Sequence, residues 1–244
     1  MKKEAKNRNQ SVMRILLCAF CAMMIMQAQA QLKVGQISIV PRVGVSVSRM
    51  TASYFPSSNV TWNVDSKARS SFAGGVDAWY QTSDLLALSL GVGYEEGGCR
   101  FDDYEISADK ESGEGQAWHD AAVKLRYLTL PVMGHLYIAP GLSVNAGLRA
   151  GWLVDNRAQQ EIQHTHYDKE NGRWAPTNNE KIVDDDDSYY NGMELSLPLG
   201  VSYEVQHVIL DARYEIGLTK LYKHGLSDAH GGRLNVTVGY RIDL

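Results

Sequence analysis

The chain has 244 residues, 44% of them hydrophobic and 21% charged, and a formal net charge of −4. With that balance and no basic stripe to neutralise a phosphate backbone, nucleic-acid binding is not expected. Of three cysteines, Cys18 and Cys21 lie near the N-terminus and only Cys99 lies beyond residue 30, so the domain itself can form no internal disulfide.

Residues 1–30 combine a basic start (Lys2, Lys3, Lys6, Arg8, Arg14), an apolar run over 15–26 and Ala28-Gln29-Ala30. This is the pattern of a cleaved secretory signal peptide. The run falls short of the roughly 20 residues a spanning helix needs. Leu17 and Phe20 precede Cys18 and Cys21 where lipoprotein processing requires a small residue, so lipidation is not expected. The remaining domain, 31–244, is more negative than the whole chain, because the signal removes five basic side chains and one acidic one.

From there the chain alternates apolar and polar residues at period two. The first strand is expected over 37–50, with Ile37, Ile39, Val43, Val45 and Val47 on one face and Arg42, Gly44, Ser46 and Ser48 on the other. Pro41, on the apolar row, implies a bulge or a membrane edge. Strand two, 69–81, presents Phe72, Val76, Ala78 and Tyr80 against Ala73, Gly75, Asp77 and Trp79; strand three, 85–101, presents Leu86, Leu88, Leu90, Val92 and Tyr94 against small residues and Glu95.

In strand four, 121–138, the apolar phase changes: Val123, Leu125 and Tyr127 share one row, and Leu128, Leu130, Val132 and Leu136 the other. A bulge near Tyr127 would keep both sets outward and leave Lys124 and Arg126 inside. Strand five, 142–155, carries Val144, Leu148, Trp152 and Val154 against Asn145 and Arg149. Strand six, 192–204, has Pro198 in its inner row, which argues against a regular ladder there. Strand seven, 208–221, sets Leu210, Tyr214 and Ile216 against Asp211, Arg213 and Glu215. In the last, 233–244, Leu234, Val236, Val238, Tyr240 and Ile242 alternate with Arg233, Asn235, Thr237 and Arg241.

No helical segment exists to cover these apolar rows, so they are expected to meet lipid. A closed sheet satisfies every backbone group in a bilayer. The expected fold is therefore all-β, an eight-stranded antiparallel up-and-down transmembrane β-barrel with long external loops and short periplasmic turns. Connections alternate long and short, with tight turns at Thr82-Ser83-Asp84, Ala139-Pro140-Gly141 and Val205-Gln206-His207. Tyr80, Tyr203 and Tyr240 near the turns and Tyr94, Tyr127 and Trp152 toward the loops are expected to form two aromatic girdles. The alternative is a soluble lipocalin-like barrel, which would place the apolar rows inside.

The polar row carries the candidate site. Arg42, Lys124, Arg126, Arg149, Arg213 and Arg241 are expected to pair inside the lumen with Asp77, Glu95, Glu194, Asp211 and Glu215, because an unpaired buried charge costs several kcal/mol. Eight strands enclose little more than side-chain volume, so a plugged barrel is expected rather than a diffusion pore. A gated ion path along the charges is the functional alternative.

His164, His166, Asp184 and Asp186 share the long loop 157–191 and are weak candidates for a divalent cation; no cofactor is expected. No His-x-Ser on a strand and no compact triad is seen, so an enzyme is not expected. Tyr54, Phe55, Trp62, Tyr104, Trp118, Trp174, Tyr189 and Tyr190 give the loops aromatics that either cap the barrel or meet a partner. Cys99 is expected to be a small packed residue rather than a reactive thiol.

Two stretches carry a family likeness. Tyr127-Leu128-Thr129-Leu130-Pro131 followed by Gly141-Leu142-Ser143-Val144-Asn145-Ala146-Gly147, and Leu210-Asp211-Ala212-Arg213-Tyr214-Glu215-Ile216-Gly217-Leu218, resemble the PorT-like outer-membrane β-barrel family of Bacteroidetes, often called a porin family. The resemblance implies the barrel and the outer membrane of a Gram-negative bacterium, and no catalytic residue. Three roles follow as expectations: a structural or surface-interaction barrel, a PorT-like accessory of protein secretion, or a narrow channel. Partners expected are outer-membrane lipid and lipopolysaccharide and a protein met through the loops, with the barrel itself a monomer.

Overall fold

The computed structural model describes residues 33–51, 66–106, 113–223 and 228–244. The expected signal peptide, Tyr54, Phe55, Trp62 and the side chain of Tyr104 lie outside the described residues. The strands in chain order are β1 (Ile37–Met50), β2 (Ser66–Lys67), β3 (Arg69–Ser83), β4 (Leu86–Phe101), β5 (Tyr104–Ile106), β6 (Glu114–Ala139), β7 (Leu142–Asp168), β8 (Arg173–Asp184), β9 (Met193–Val205), β10 (Val208–Gly217), β11 (Gly231–Tyr240) and β12 (Ile242–Asp243).

Eight of them close a ring. Each of β1, β3, β4, β6, β7, β9, β10 and β11 pairs antiparallel with the next, and β11 returns to β1 through nine register pairs from Arg42↔Gly239 to Met50↔Gly231. The tight turns fall where the alternation stops. Gln206 and His207 both have positive φ (47° and 70°), the two-residue geometry whose twist matches a hairpin.

The lipid-facing rows stand out as expected from the alternation: Val43, Phe72, Leu90, Val132, Leu148 and Leu210 are each about half exposed. On β4 this row runs from Leu86 to Tyr94, eight steps or roughly 26 Å along the strand. Tilted at about 40°, that spans ~20 Å of height, a bilayer-sized belt.

Three prolines sit where the ladder has a gap. Pro41 pairs with Val76 on one side, while on the other β11 ends at Tyr240 and β12 begins at Ile242. Opposite Pro131, the β4–β6 register skips between Leu90↔Val132 and Gly93↔Thr129. At Pro198, paired with Glu215, the β7–β9 register skips between Ala146↔Leu199 and Arg149↔Ser196. A residue without an N–H is tolerated where no partner carbonyl waits for one.

The expected bulge in strand four is absent from that strand. Val123, Leu125, Tyr127, Thr129, Met133 and His135 share one unbroken inner row of β6. The extra residue lies across from it on β7, where Arg126 pairs with Asp155 but Tyr127 with Leu153. Lys124 and Arg126 therefore point outward, against expectation, and Tyr127 is buried in the lumen at 1% exposure instead of joining a girdle.

The long loops are largely strand. β6 and β7 run past the barrel wall as a paired ladder from His119↔Glu161 to Glu114↔His166, extended by β5 on one side and β8 on the other. At the tip, Asp168 accepts from the Asn171 side chain and from the backbone N–H groups of Glu170 and Asn171, which holds its carboxyl below the usual range.

Candidate functional site

The lumen is built in three tiers by the inward residues of the ring. At the turn end, Arg241 donates to both oxygens of Glu204 (2.8 and 2.7 Å) and to the Tyr137 hydroxyl at 3.3 Å. Its guanidinium lies 4.6 Å from the centre of the Trp79 ring, and His135 stacks on the same indole at 3.7 Å. Val40, Ala87 and Ile209 pack around Trp79 and close that end.

Above it a polar chain crosses the barrel. Ser89 Oγ stands 2.8 Å from His135 Nε2, and His135 Nδ1 stands 2.9 Å from Asn145 Oδ1. Asn145 Nδ2 donates on to Ser202 at 3.0 Å and to Asp211 at 3.1 Å. Asp211 pairs with Arg213 at 2.7 Å, and Arg42 with Asp77 at 3.0 Å. The Ser89–His135–Asn145 line has the hydrogen-bond order of a catalytic triad, which the spacing of these residues in sequence conceals. His135 is fully buried and stacked on Trp79, so the line joins β4, β6 and β7 with no open face for a substrate.

The tier toward the loops holds the densest charge. Arg149 Nε lies 2.9 Å from Glu95 and 3.4 Å from Glu215, and its Nη1 lies 3.5 Å from Glu194. Arg233 pairs with Glu194 and approaches Glu215 at 3.5 Å and Glu95 at 3.9 Å. Both guanidiniums lie over the Tyr127 ring, at 5.7 and 5.0 Å from its centre. The surrounding carboxylates and the ring offset the cost of burying the two cations.

Over this tier sits an apolar lid of Met50, Cys99, Val123, Leu125, Leu221 and Tyr222, with Tyr190 5.4 Å from Tyr222 ring to ring. Two loop segments supply the last three: Asn191 N–H donates to Leu221 C=O, and Asn191 Nδ2 to the carbonyls of Lys220 and Tyr222. Cys99 is fully buried here. A maleimide is therefore expected to label it more than tenfold faster in unfolded than in folded protein, measured by mass.

Of the residues singled out from the sequence, Arg42, Asp77, Glu95, Arg149, Glu194, Asp211, Arg213, Glu215 and Arg241 line this lumen. Lys124 and Arg126 do not, because the bulge lies on β7; Arg126 pairs outside with Glu96 and Asp155. Arg233 and Glu204 are lumen charges that were passed over. Arg233 was visible in the polar row of the last strand, directly opposite Glu215.

The four cation-binding candidates are not brought together. His164 pairs with Asn178 and Asp184 with Ala158, so His164 and Asp184 lie six positions apart along β7, roughly 20 Å. His164 faces Glu180 at 3.9 Å, and Asp186 caps the 3-10 turn Asp187–Tyr189 through Ser188 N–H. Among the described residues no group of three or more His, Cys, Asp or Glu stands at metal-holding spacing. Among the loop aromatics, Tyr190 joins the lid and Trp174 packs on Tyr167 at 5.2 Å.

Residues 27–223 match the family model described as an outer membrane protein beta-barrel domain. No curated protein matches the chain. Among solved structures, the attachment invasion locus protein Ail of Yersinia pestis aligns at 15% identity over 86% of this chain and 100% of that one, TM-score 0.41. Neisserial surface protein A aligns at 14% over 84% and 97%, TM-score 0.40, and OprG of Pseudomonas aeruginosa at 10% over 88% and 99%, TM-score 0.37.

Proposed function

Because the chain belongs to the outer membrane protein beta-barrel domain family, we propose that it is a closed, non-conducting outer-membrane barrel whose task is to present the β5–β8 extension at the cell surface. The filled lumen carries this reading. An aromatic and apolar floor, a polar and ion-paired middle and an apolar lid occupy its length, so an ion would have to displace packed side chains at both ends. Planar-bilayer recording tests it: insertion of the folded protein is expected to give no unitary conductance, and steady channels would favour the charged middle as an ion path.

Export depends on the N-terminal signal in this reading. Sequencing of protein from the outer-membrane fraction is expected to begin at Gln31. An N-terminus upstream of residue 15 would mean that the apolar run is kept.

Surface interaction is supported by β8. Among the described residues it pairs only with β7, which leaves its other edge open, and most of its side chains are exposed. Such an edge can accept a strand from a partner. The PorT-like segments at 127–131 and 210–218 would make that partner a component of a secretion apparatus, to be sought by co-purification with and without residues 169–182.

A further inference from the structure

The outer face of the barrel carries an ordered set of charges at the loop end. Tyr94, Leu128 and Trp152 are register partners across β4, β6 and β7 at the loop end of the apolar belt, with exposed Val154 just beyond them on β7. Two residues further on β4 and β6, and three on the bulged β7, the next row is Glu96, Arg126 and Asp155. The next is Gly98, Lys124 and Arg157, and above it Arg100 stands beside Ala122 and Gln159. From β3, Arg69 reaches into the first charged row, 3.3 Å from Glu96.

The acids in this patch are already taken. Glu96 is shared by Arg69 and by Arg126, the latter at 3.4 Å, and Asp155 pairs with Arg126. Lys124 Nζ donates to Gln159 at 2.9 Å. None of Arg100, Lys124 and Arg157 has an ion-pair partner among the described residues, and the sheet sets Lys124 directly opposite Arg157. Like charges facing each other across strands repel. Asp102, Asp103 and Asp120 lie on the loopward side, with Asp102 held by Lys67 and Asp103 by His119 at 3.1 Å. On the opposite wall the outward residues near the loop end of β10 are Tyr214, Ile216 and Leu218, none of them a cation.

We propose that this patch binds the phosphate groups of an anionic glycolipid in the outer leaflet. A phosphate between Lys124, Arg157 and Arg100 turns their repulsion into charge-assisted hydrogen bonds, and the guanidinium forks suit its oxygens. An anion held at the Lys124 and Arg157 row stands one charged row, roughly 13 Å along the strand, beyond Leu128; a glycolipid phosphate there has acyl chains that continue down the apolar belt, which selects a lipid phosphate over a free one. Leaflet assignment rests on the reading above that the long-loop end faces outward; the binding chemistry does not.

The test uses the full protein folded in detergent, with lipids retained counted by native mass spectrometry. Bisphosphorylated lipid A is expected to be retained at least tenfold over its dephosphorylated form. The Lys124→Ala/Arg157→Ala variant is expected to lose that preference, while Arg49→Ala, exposed on β1, keeps it. Each variant is first shown to run faster unboiled than boiled, which separates loss of the lipid from loss of the barrel. Equal retention of both lipids, an unchanged double variant, or displacement by equimolar inorganic phosphate would overturn the proposal. Surface proteolysis placing the loops in the periplasm would remove the leaflet assignment alone.

Discussion

Arg149→Met is expected to lower the stability of the folded barrel by about 3–5 kcal/mol, the cost of breaking a buried ion-pair cluster from one side. Arg149 is 1% exposed and stands within 3.5 Å of three carboxylates. Without it, Arg233 alone faces Glu95, Glu194 and Glu215, and two negative charges go unbalanced. A urea titration followed by the folded-band fraction on unboiled gels reads the loss. Adding Glu95→Gln to the same chain removes one orphaned charge and is expected to recover a substantial part of it, because neighbours in one network are not additive. A midpoint unchanged by Arg149→Met would show that water reaches the cluster and that the lumen is open.

Val132→Arg probes the other face. Val132 is half exposed on the outer wall, between Leu90 of β4 and Leu148 of β7 in register. If that wall lies in hydrocarbon, an arginine there costs about 2–4 kcal/mol on folding into bilayers. On a soluble barrel the same exposed substitution would stay within roughly 0.5 kcal/mol. Equilibrium folding into vesicles distinguishes the two, and an effect below about 0.5 kcal/mol would count against a lipid-facing wall.

Where one face meets lipid and the other meets charge, period two is unambiguous; the rows of β1, β4, β10 and β11 were legible for that reason. It failed in β6, where Val123, Leu125, Tyr127, Leu128 and Leu130 put apolar residues on both faces. Nothing local says that the first three build a lid inside the barrel while the last two meet lipid. That choice is made by Cys99, Ala158, Leu221 and Tyr222, which arrive from other parts of the chain. The phase change in strand four reflects a bulge on its partner β7, which turns Lys124 and Arg126 outward rather than inward. Arg233 follows Gly231-Gly232, which reads as a loop end, though both glycines pair in β11 and carry Arg233 into the lumen.

The β5–β8 extension was read as loop for a different reason. No apolar alternation marks it: residues such as Gln163, His164, Thr165 and His166 show no side to bury. Ladder hydrogen bonds define it, with contacts such as Tyr167 on Trp174 and Asn179 to Glu161 added between strands. The same absence of a core explains why the His164, His166, Asp184 and Asp186 set looked compact in sequence: an extended hairpin spreads it along the strand.

A closed barrel in the outer membrane with the β5–β8 extension outside makes a prediction that one gel can read. Outer-membrane fractions from intact cells treated with protease are run boiled and unboiled. A faster unboiled band is expected, and cleavage confined to the loop-end segments, with the extension at 157–191 cut first. Protein recovered from the soluble periplasm, migrating identically boiled and unboiled, would contradict it.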